Sequence, residues 1–371
     1  MLMITHACNL NCKYCYEKFK SDEKMSLDLA KKCINNEIAF VQDARNSYVD
    51  LSIEFMGGEP FLNFNLIKDV VVWLESQNLP FEWLSSSSTN GTLFSEDCRK
   101  WMIQHRQSFV PCLSFDGTTT MQSTNRGTKN VNNEIPFLVK NWPNQEIHMT
   151  LSKQTVGNLA EGVMQLERLG ARTSVAIAQG EAWDYNDALL FLQQIRTLGQ
   201  FYLDNPGKVP TTFLCRPLYE IGSTKLRQTK FCGAGTNMIT YDIDGEAYPC
   251  HMFTPLVCGK EASLKFRSGT FPCSQFSDER CDSCTIRHWC TTCCGFNNNI
   301  RGDISLRDNR FCHMMYAEAI GLCEFQLSYY DRFKDRISAD DALQIQAAIL
   351  AYDSLKNLKE VKELAALCSS S

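Results

Sequence analysis

The chain of 371 residues reads as an α/β protein, a partial (β/α)6 barrel followed by a cysteine-rich C-terminal domain and a terminal helix. Three observations predict it. Strand-like and helix-like patterns alternate about six times over the first 205 residues. Eleven of the 19 cysteines fall between Cys215 and Cys312. Four short motifs, at 8–15, 57–59, 89–91 and 114–117, sit where a strand pattern gives way to a helix pattern. Strands separated by helices argue for parallel βαβ units, and barrels of this kind collect their active sites at the C-terminal strand ends.

The elements follow in order. Residues 1–5 are short and apolar. Leu27, Ala30, Ile34, Ile38 and Val41 recur every three or four residues behind Ser26, a good helix N-cap. Val49, Leu51, Ile53 and Phe55 alternate at period two and run into Gly57-Gly58. Helix follows strand again through 66–74, 81–84, 95–106, 109–115 and 131–139. The series closes with 147–151, 156–169 ended by Gly170, 174–178 and 188–203. From about Pro210 the character changes to short strands and turns, with a hairpin signal at Asp244-Gly245. Helical spacing returns over 339–367 without evident chemistry. The expected division is a barrel over 1–205, a cysteine-rich domain over 206–330 and a helical segment over 331–371.

The formal charge is −5 with no long basic run, so nucleic acid is a poor partner. No apolar stretch approaches the ~18–20 residues that span a bilayer, and the N-terminus lacks the pattern of a secretion signal. A cytosolic protein with no membrane partner is expected. Disulfides are disfavoured in that reducing compartment, and an odd, clustered set of 19 cysteines points to metal.

Cys8, Cys12 and Cys15 have the spacing C-x3-C-x2-C. Three thiolates can hold three corners of a [4Fe–4S] cube and leave the fourth iron open to a substrate or cofactor. The competing reading is a zinc knuckle, which favours four ligands; His6 would supply the fourth.

This loop after an apolar strand, with Met56-Gly57-Gly58-Glu59-Pro60 after the second, resembles the radical S-adenosylmethionine (SAM) superfamily. The resemblance implies a partial TIM barrel in which the three cysteines hold the cluster and SAM occupies the fourth iron. Reductive cleavage of SAM then yields methionine and a 5′-deoxyadenosyl radical that takes a hydrogen atom from the substrate. Gly57 and Gly58 allow close backbone approach, Glu59 offers an acceptor for the cofactor's ammonium group, and Tyr14 a flat face beside the cluster. Asn90, Ser114, Asp116, Arg126 and Ser152 resemble family positions near the ribose and the methionine carboxylate. Asn-Gly and Asp-Gly are equally strong turn formers.

The C-terminal half resembles the SPASM extension. Twelve residues separate Cys232 from Gly245 and four more lead to Cys250; Cys281, Cys284, Cys290 and Cys294 keep spacings of 2, 5 and 3, and Cys312 closes the series. The resemblance implies two auxiliary [4Fe–4S] clusters, three clusters in all. Cys232, Cys250 and Cys294 would hold the first, with Cys215 or an open iron site completing it, and Cys281, Cys284, Cys290 and Cys312 the second. Cys293 leaves the register ambiguous by one, and an all-thiolate zinc site over 281–294 is the alternative. Cys33, Cys98, Cys112, Cys258, Cys273, Cys323 and Cys368 read as packing residues.

Relatives with this extension mostly modify peptides and proteins. The expected reaction is an oxidative intramolecular crosslink, carbon–carbon or thioether, on a ribosomally made precursor peptide. An external one-electron reductant of flavodoxin or ferredoxin type would feed it. Sulfatase-type oxidation of a Cys or Ser to formylglycine is the alternative; there an aspartate follows the second extension cysteine, whereas here that position is His251, itself a candidate base. A non-catalytic iron–sulfur electron-transfer or binding protein is the reading of another class. The barrel pattern begins at once, leaving no room before it for a leader-binding domain, so a compact maturase, or one served by a separate leader-binding protein, is expected.

Overall fold

The computed structural model describes residues 1–43, 50–128, 131, 134–222, 232–268, 271, 278–336 and 339–356. Six parallel strands form an incomplete β/α barrel. β1 (Leu2–Thr5), β2 (Leu51–Gly57), β3 (Trp83–Thr89) and β4 (Phe109–Leu113) pair side by side in that order, and β5 (Glu146–Leu151) pairs with β6 (Arg172–Ile177). A single bridge between Ser114 and His148 joins β4 to β5. The connecting helices are α1 (Leu27–Asp43), α2 (Phe64–Glu75), α3 (Glu96–Gln104), α4 (Thr119–Arg126), α5 (Glu134–Asn141), α6 (Leu159–Arg168) and α7 (Tyr185–Asp204).

Two elements depart from the sequence expectation. Periodicity places the third strand at 81–84, but β3 runs on through a serine stretch to Thr89. Its buried face is made of hydroxyls, Ser85, Ser87 and Thr89, and Ser87 donates to the Phe55 carbonyl of β2 at 3.1 Å. A pattern of apolar residues cannot report a strand whose inward side chains are polar. α4 was not expected either. Its sequence TTMQSTNR has one large apolar residue, and it buries Gln122, Asn125 and Arg126 beside Met121. Thr118 caps it by accepting from Met121 N, and Gly127 closes it in the left-handed region. Val49 lies outside the described residues.

The hairpin forms as expected, with β7 (Thr240–Tyr241) and β8 (Ala247–Tyr248) joined through Gly245 at φ 82°. β7 pairs in parallel with β1, so the hairpin continues the barrel sheet beyond its first strand. Short helices α8 (Pro255–Cys258) and α9 (Lys260–Ser263) follow, then α10 (Cys294–Arg301), α11 (Cys312–Arg332) and α12 (Ala339–Leu355). Helix α12 begins where the sequence suggested; residues 357–371 lie outside the description.

One core runs from Ile4 and Phe55 in the barrel through Leu198 of α7 to Met314 and Leu322 of α11 and Ala351 of α12. A smaller one gathers Tyr248, Met252, Phe253, Phe266 and Cys294. Arg196 of α7 and Glu324 of α11 make two hydrogen bonds of 2.7 Å across the helix pair. Among the described residues, no helix is long and apolar enough to cross a membrane.

Candidate active site at the strand ends

The loop 8–15 leaves the end of β1 and is clamped by the ends of the neighbouring strands. Gly58 N donates to Thr5 O at 3.1 Å and Glu59 N to Ala7 O at 2.8 Å. There is no room for side chains here: a Cβ on Gly57 would lie 2.1 Å from Thr5 O, and one on Gly58 2.4 Å from Ala7 O. From β3, Asn90 Nδ2 donates to Asn9 Oδ1 at 2.9 Å, while Asn9 Nδ2 donates to Thr92 Oγ1 at 2.7 Å. Asn90 is thus bound to the loop itself through Asn9, a residue that spacing alone does not single out.

Glu59 is buried, and its carboxylate accepts from Thr89 Oγ1, Phe61 N and Asn90 N at 2.8, 3.1 and 2.8 Å. Burial raises its pKa, and those donors oppose the rise. A carboxylate offers about four acceptor positions, so three protein donors leave about one for a ligand. His6, the fourth donor a zinc knuckle would need, has its Nε2 2.7 Å from Asp242 Oδ1 beside the hairpin, both side chains buried.

Asp116 is the hub on the opposite side. Fully buried, it accepts from Tyr14 Oη (2.7 Å), Asn125 Nδ2 (3.0 Å), Arg126 Nε (3.1 Å) and Nη2 (3.2 Å), and Thr150 N (3.0 Å). Burial opposes the charge of Arg126, but Asp116 and Tyr14 outweigh it and hold the guanidinium charged. That guanidinium also lies 5.4 Å from the centre of the Tyr14 ring. Asn125 reaches in both directions: its carbonyl accepts from Lys13 N at 2.8 Å, and its Oδ1 accepts from Ser152 Oγ at 2.6 Å. Tyr14, Asp116, Arg126 and Ser152 therefore belong to one network. Half-buried Ser114 forms the β4–β5 bridge beside it.

The donor set of the loop fits an iron–sulfur cube. Burial pushes the Cys12 thiol up to about 11; Cys15 and Cys8 add to this, and Arg126 opposes it. Buried thiols that oppose one another's ionisation are relieved by coordination to a cationic centre, which takes the thiolate form.

Two further cysteine groups lie in the C-terminal region. Burial, then Cys290, Cys281 and Cys284, raise the Cys312 thiol to about 12, which places these four together. Burial likewise raises Cys250, with Cys293, Cys232 and Cys258 adding to it. Cys258, which the sequence reading assigned to packing, therefore neighbours this second group. Cys294 is buried in the smaller core, whereas Cys293 stands at the N-cap of α10 and lines a cavity of about 830 Å3. Cys215 lines the same cavity, but burial alone perturbs it, and its thiol points to Pro210 O at 3.9 Å. It shares that cavity wall with Cys232, Cys250 and Cys293. Among the described residues, no three His, Cys, Asp or Glu side chains close around one point as ligands of a single ion do.

His251 sits in the cavity wall with its ring centre 5.5 Å from that of Tyr16. Its Nδ1 is enclosed without a partner, and burial lowers its pKa to about 4, leaving a neutral imidazole. On the barrel side, Gln179 after β6 clasps the segment before α10. Its Nε2 donates to Thr291 O and its Oε1 accepts from Cys293 N, both at 3.0 Å.

Residues 1–132 match a family described as a 4Fe–4S single cluster domain. An uncharacterized protein of Methanocaldococcus jannaschii is 36% identical over 96 residues, 26% of this chain and 31% of its own length. The radical SAM cyclopropyl synthase TigE of Paramaledivibacter caminithermalis is 28% identical over 152 residues, 37% of this chain and 31% of its own. The chain thus spans about a third of the length of these curated relatives. Among solved structures, anSMEcpe with bound AdoMet and Kp18Cys peptide shares the fold at a TM-score of 0.65 and 18% identity, over 91% of this chain and 99% of that one. Streptococcus suis SuiB bound to precursor peptide SuiA does so at 0.57 and 16% identity, over 83% and 74%. The 4Fe–4S family match thus covers the first cysteine loop, and the fold of anSMEcpe and SuiB is shared along most of the chain.

Proposed function

We propose that this protein is a peptide maturase that forms an oxidative intramolecular crosslink in a ribosomally made precursor peptide. The observation that carries the reading is the cavity of about 830 Å3 at the open side of the barrel. Its walls bring the end of β6, His251 and the cysteines of the Cys250 group around one space, large enough for a chain segment. Peptides bound to two proteins of the same fold support it.

In this reading, 1–205 is the SAM-binding barrel, 206–330 the auxiliary-cluster domain and 331–371 the C-terminal segment. Cys8, Cys12 and Cys15 hold the first [4Fe–4S] cluster. Cys281, Cys284, Cys290 and Cys312 hold another, and Cys232, Cys250 and Cys294 a third with one position open or filled from elsewhere. When bound, the clusters supply the electron that cleaves SAM to its radical and accept the one that a crosslinked product gives up. The chain's own residues orient these groups. Gly57 and Gly58 fix the loop, Tyr14, Asp116 and Arg126 form a hydrogen-bonded flank in which carboxylate and guanidinium pair, and Asn90, Ser114 and Ser152 present polar groups at neighbouring strand ends. His251 stands ready, neutral, to accept a proton inside the cavity. Enclosure between barrel and C-terminal region excludes water from a radical. The thiol-rich chain suits the reducing cytosol, where a flavodoxin- or ferredoxin-type reductant is at hand.

Anaerobically purified protein should carry about twelve irons with matching sulfide, as three four-iron cubes require. Zinc with only about four irons would overturn the auxiliary assignment. With SAM, dithionite and short peptides encoded beside this gene, mass spectrometry should show 5′-deoxyadenosine and loss of two hydrogens per crosslink. Deoxyadenosine with no peptide mass change would count against the reading, and formylglycine in a C/S-x-P/A-x-R peptide would replace it.

A further inference from the structure

We propose that the outer edge of β6 takes up an extended segment of the substrate peptide as an added strand; this rests on the peptide-modifying function proposed above. Among the described residues, β6 pairs with β5 and with no other strand. Backbone groups of a parallel strand point alternately to its two sides. Ala178 N donates to Leu151 O of β5 at 2.8 Å, so even-numbered positions face β5. The N–H and C=O groups of Val175 and Ile177 therefore face outward. The same parity puts the Thr173 carbonyl on the outer side, where Thr211 Oγ1 donates to it at 2.6 Å. Thr211 closes the edge at its beginning and leaves it open toward its C-terminal end.

That open stretch borders the cavity: residues 174–177 all line it. Phe213, Met238 and Phe296 add apolar wall, and Cys250 and His251 stand among the other lining residues. The joined sheet ends at β6 on one side and at β8 on the other, and Met238 and Cys250 of this cavity belong to the segments flanking the hairpin. A chain laid along Val175 and Ile177 would lengthen the barrel into its own gap. Two donors and two acceptors at strand spacing match the backbone of an extended peptide, as in other cases of strand addition. Each added residue advances ~3.3 Å, so a segment paired in this stretch directs its next residues past the end of β6, toward the clamped loop and Asp116. Main-chain pairing would hold many sequences, and the apolar wall would favour large apolar side chains on one face.

The test uses the iron-loaded protein with SAM and a synthetic probe, Ac-KVSVSVSK-NH2, alongside its fully N-methylated analogue. Anisotropy of labelled probes should show the parent binding about tenfold more tightly than the analogue, which cannot donate backbone hydrogen bonds. Hydrogen exchange should slow at the Val175 and Ile177 amides and stay unchanged at Ser174 and Ala176, already paired with β5. Val175→Pro removes one outward N–H without touching that ladder and should weaken the parent probe about tenfold; iron content reports whether this variant folds, and the exchange result needs no variant. No binding, equal binding of the analogue, or protection elsewhere overturns the proposal. Protection at the edge without any SAM-dependent peptide modification overturns the function and leaves the edge; modification without protection does the reverse.

Discussion

Tyr14, immediately before the last loop cysteine, Cys15, donates its hydroxyl hydrogen to Asp116 Oδ2 at 2.7 Å. The contact joins the cluster loop to the end of β4, where Asp116 also neutralises buried Arg126. Asp116→Ala would leave that guanidinium buried and unpaired, a change that removes about 3–5 kcal/mol. Anaerobic urea unfolding should show a loss of this size, together with a lower iron content. The half-exposed pair Arg196–Glu324 is the contrast: Glu324→Gln should cost about 1 kcal/mol or less. Equal effects at the two sites would contradict the hub assignment.

Gly58→Ala forces a methyl group against Ala7 O, within 2.4 Å, and against Cys8 Cβ, within 2.8 Å. Backbone must move, and the loop cysteines move with it. The reduced protein should lose the electron paramagnetic resonance signal of the first cluster and its SAM cleavage. Gly127→Ala is the control, because nothing lies within 4 Å of the added methyl; left-handed backbone there should cost only about 1 kcal/mol. Normal iron in Gly58→Ala would show that the clamp is dispensable.

The adjacent thiols Cys293 and Cys294 separate by iron count. Cys294 keeps the sequence register and packs in the smaller core, while Cys293 caps α10 at the cavity. Cys294→Ala should remove about four irons per chain, one cube, and Cys293→Ala should leave the count near that of the unaltered protein. The reverse pattern would move the ligand by one position.

His251→Gln keeps a polar side chain in the cavity wall and removes the imidazole. If His251 serves as the base, peptide turnover should fall about 100-fold at unchanged iron content, the lower range for lost general-base catalysis. Unchanged product formation would remove it from the mechanism.

The barrel was legible because it is written in local spacing. Cys8, Cys12 and Cys15 are a single loop, and the apolar faces of β2 or α2 repeat with the period of their element. What spacing cannot carry is long-range pairing between polar groups. The hydroxyl-lined interior of β3 and the polar buried face of α4 look like solvent-facing sequence until Asp116 and Phe55 are set beside them. Asn90 drew attention as a ligand contact, yet its amide meets Asn9, 81 residues away. Cys215, which sequence order offers as a fourth ligand against an open iron site, lines the same cavity as Cys232, with its thiol 3.9 Å from Pro210 O.

The pairing of β1 with β7 has a consequence for the order in which the molecule is made. The Met1 ammonium donates to Ile239 O across 238 residues, and Leu2 finds its second strand neighbour only at Tyr241. During synthesis, the strand that carries the first cysteine loop waits with one edge bare until nearly two thirds of the chain has left the ribosome. Contacts this distant in sequence slow folding, and a bare edge invites pairing with other chains in the interval. Iron delivered to the 8–15 loop before that moment would meet an unfinished supporting sheet, so loading of the cluster proposed there is tied to arrival of the later cysteine-rich segment.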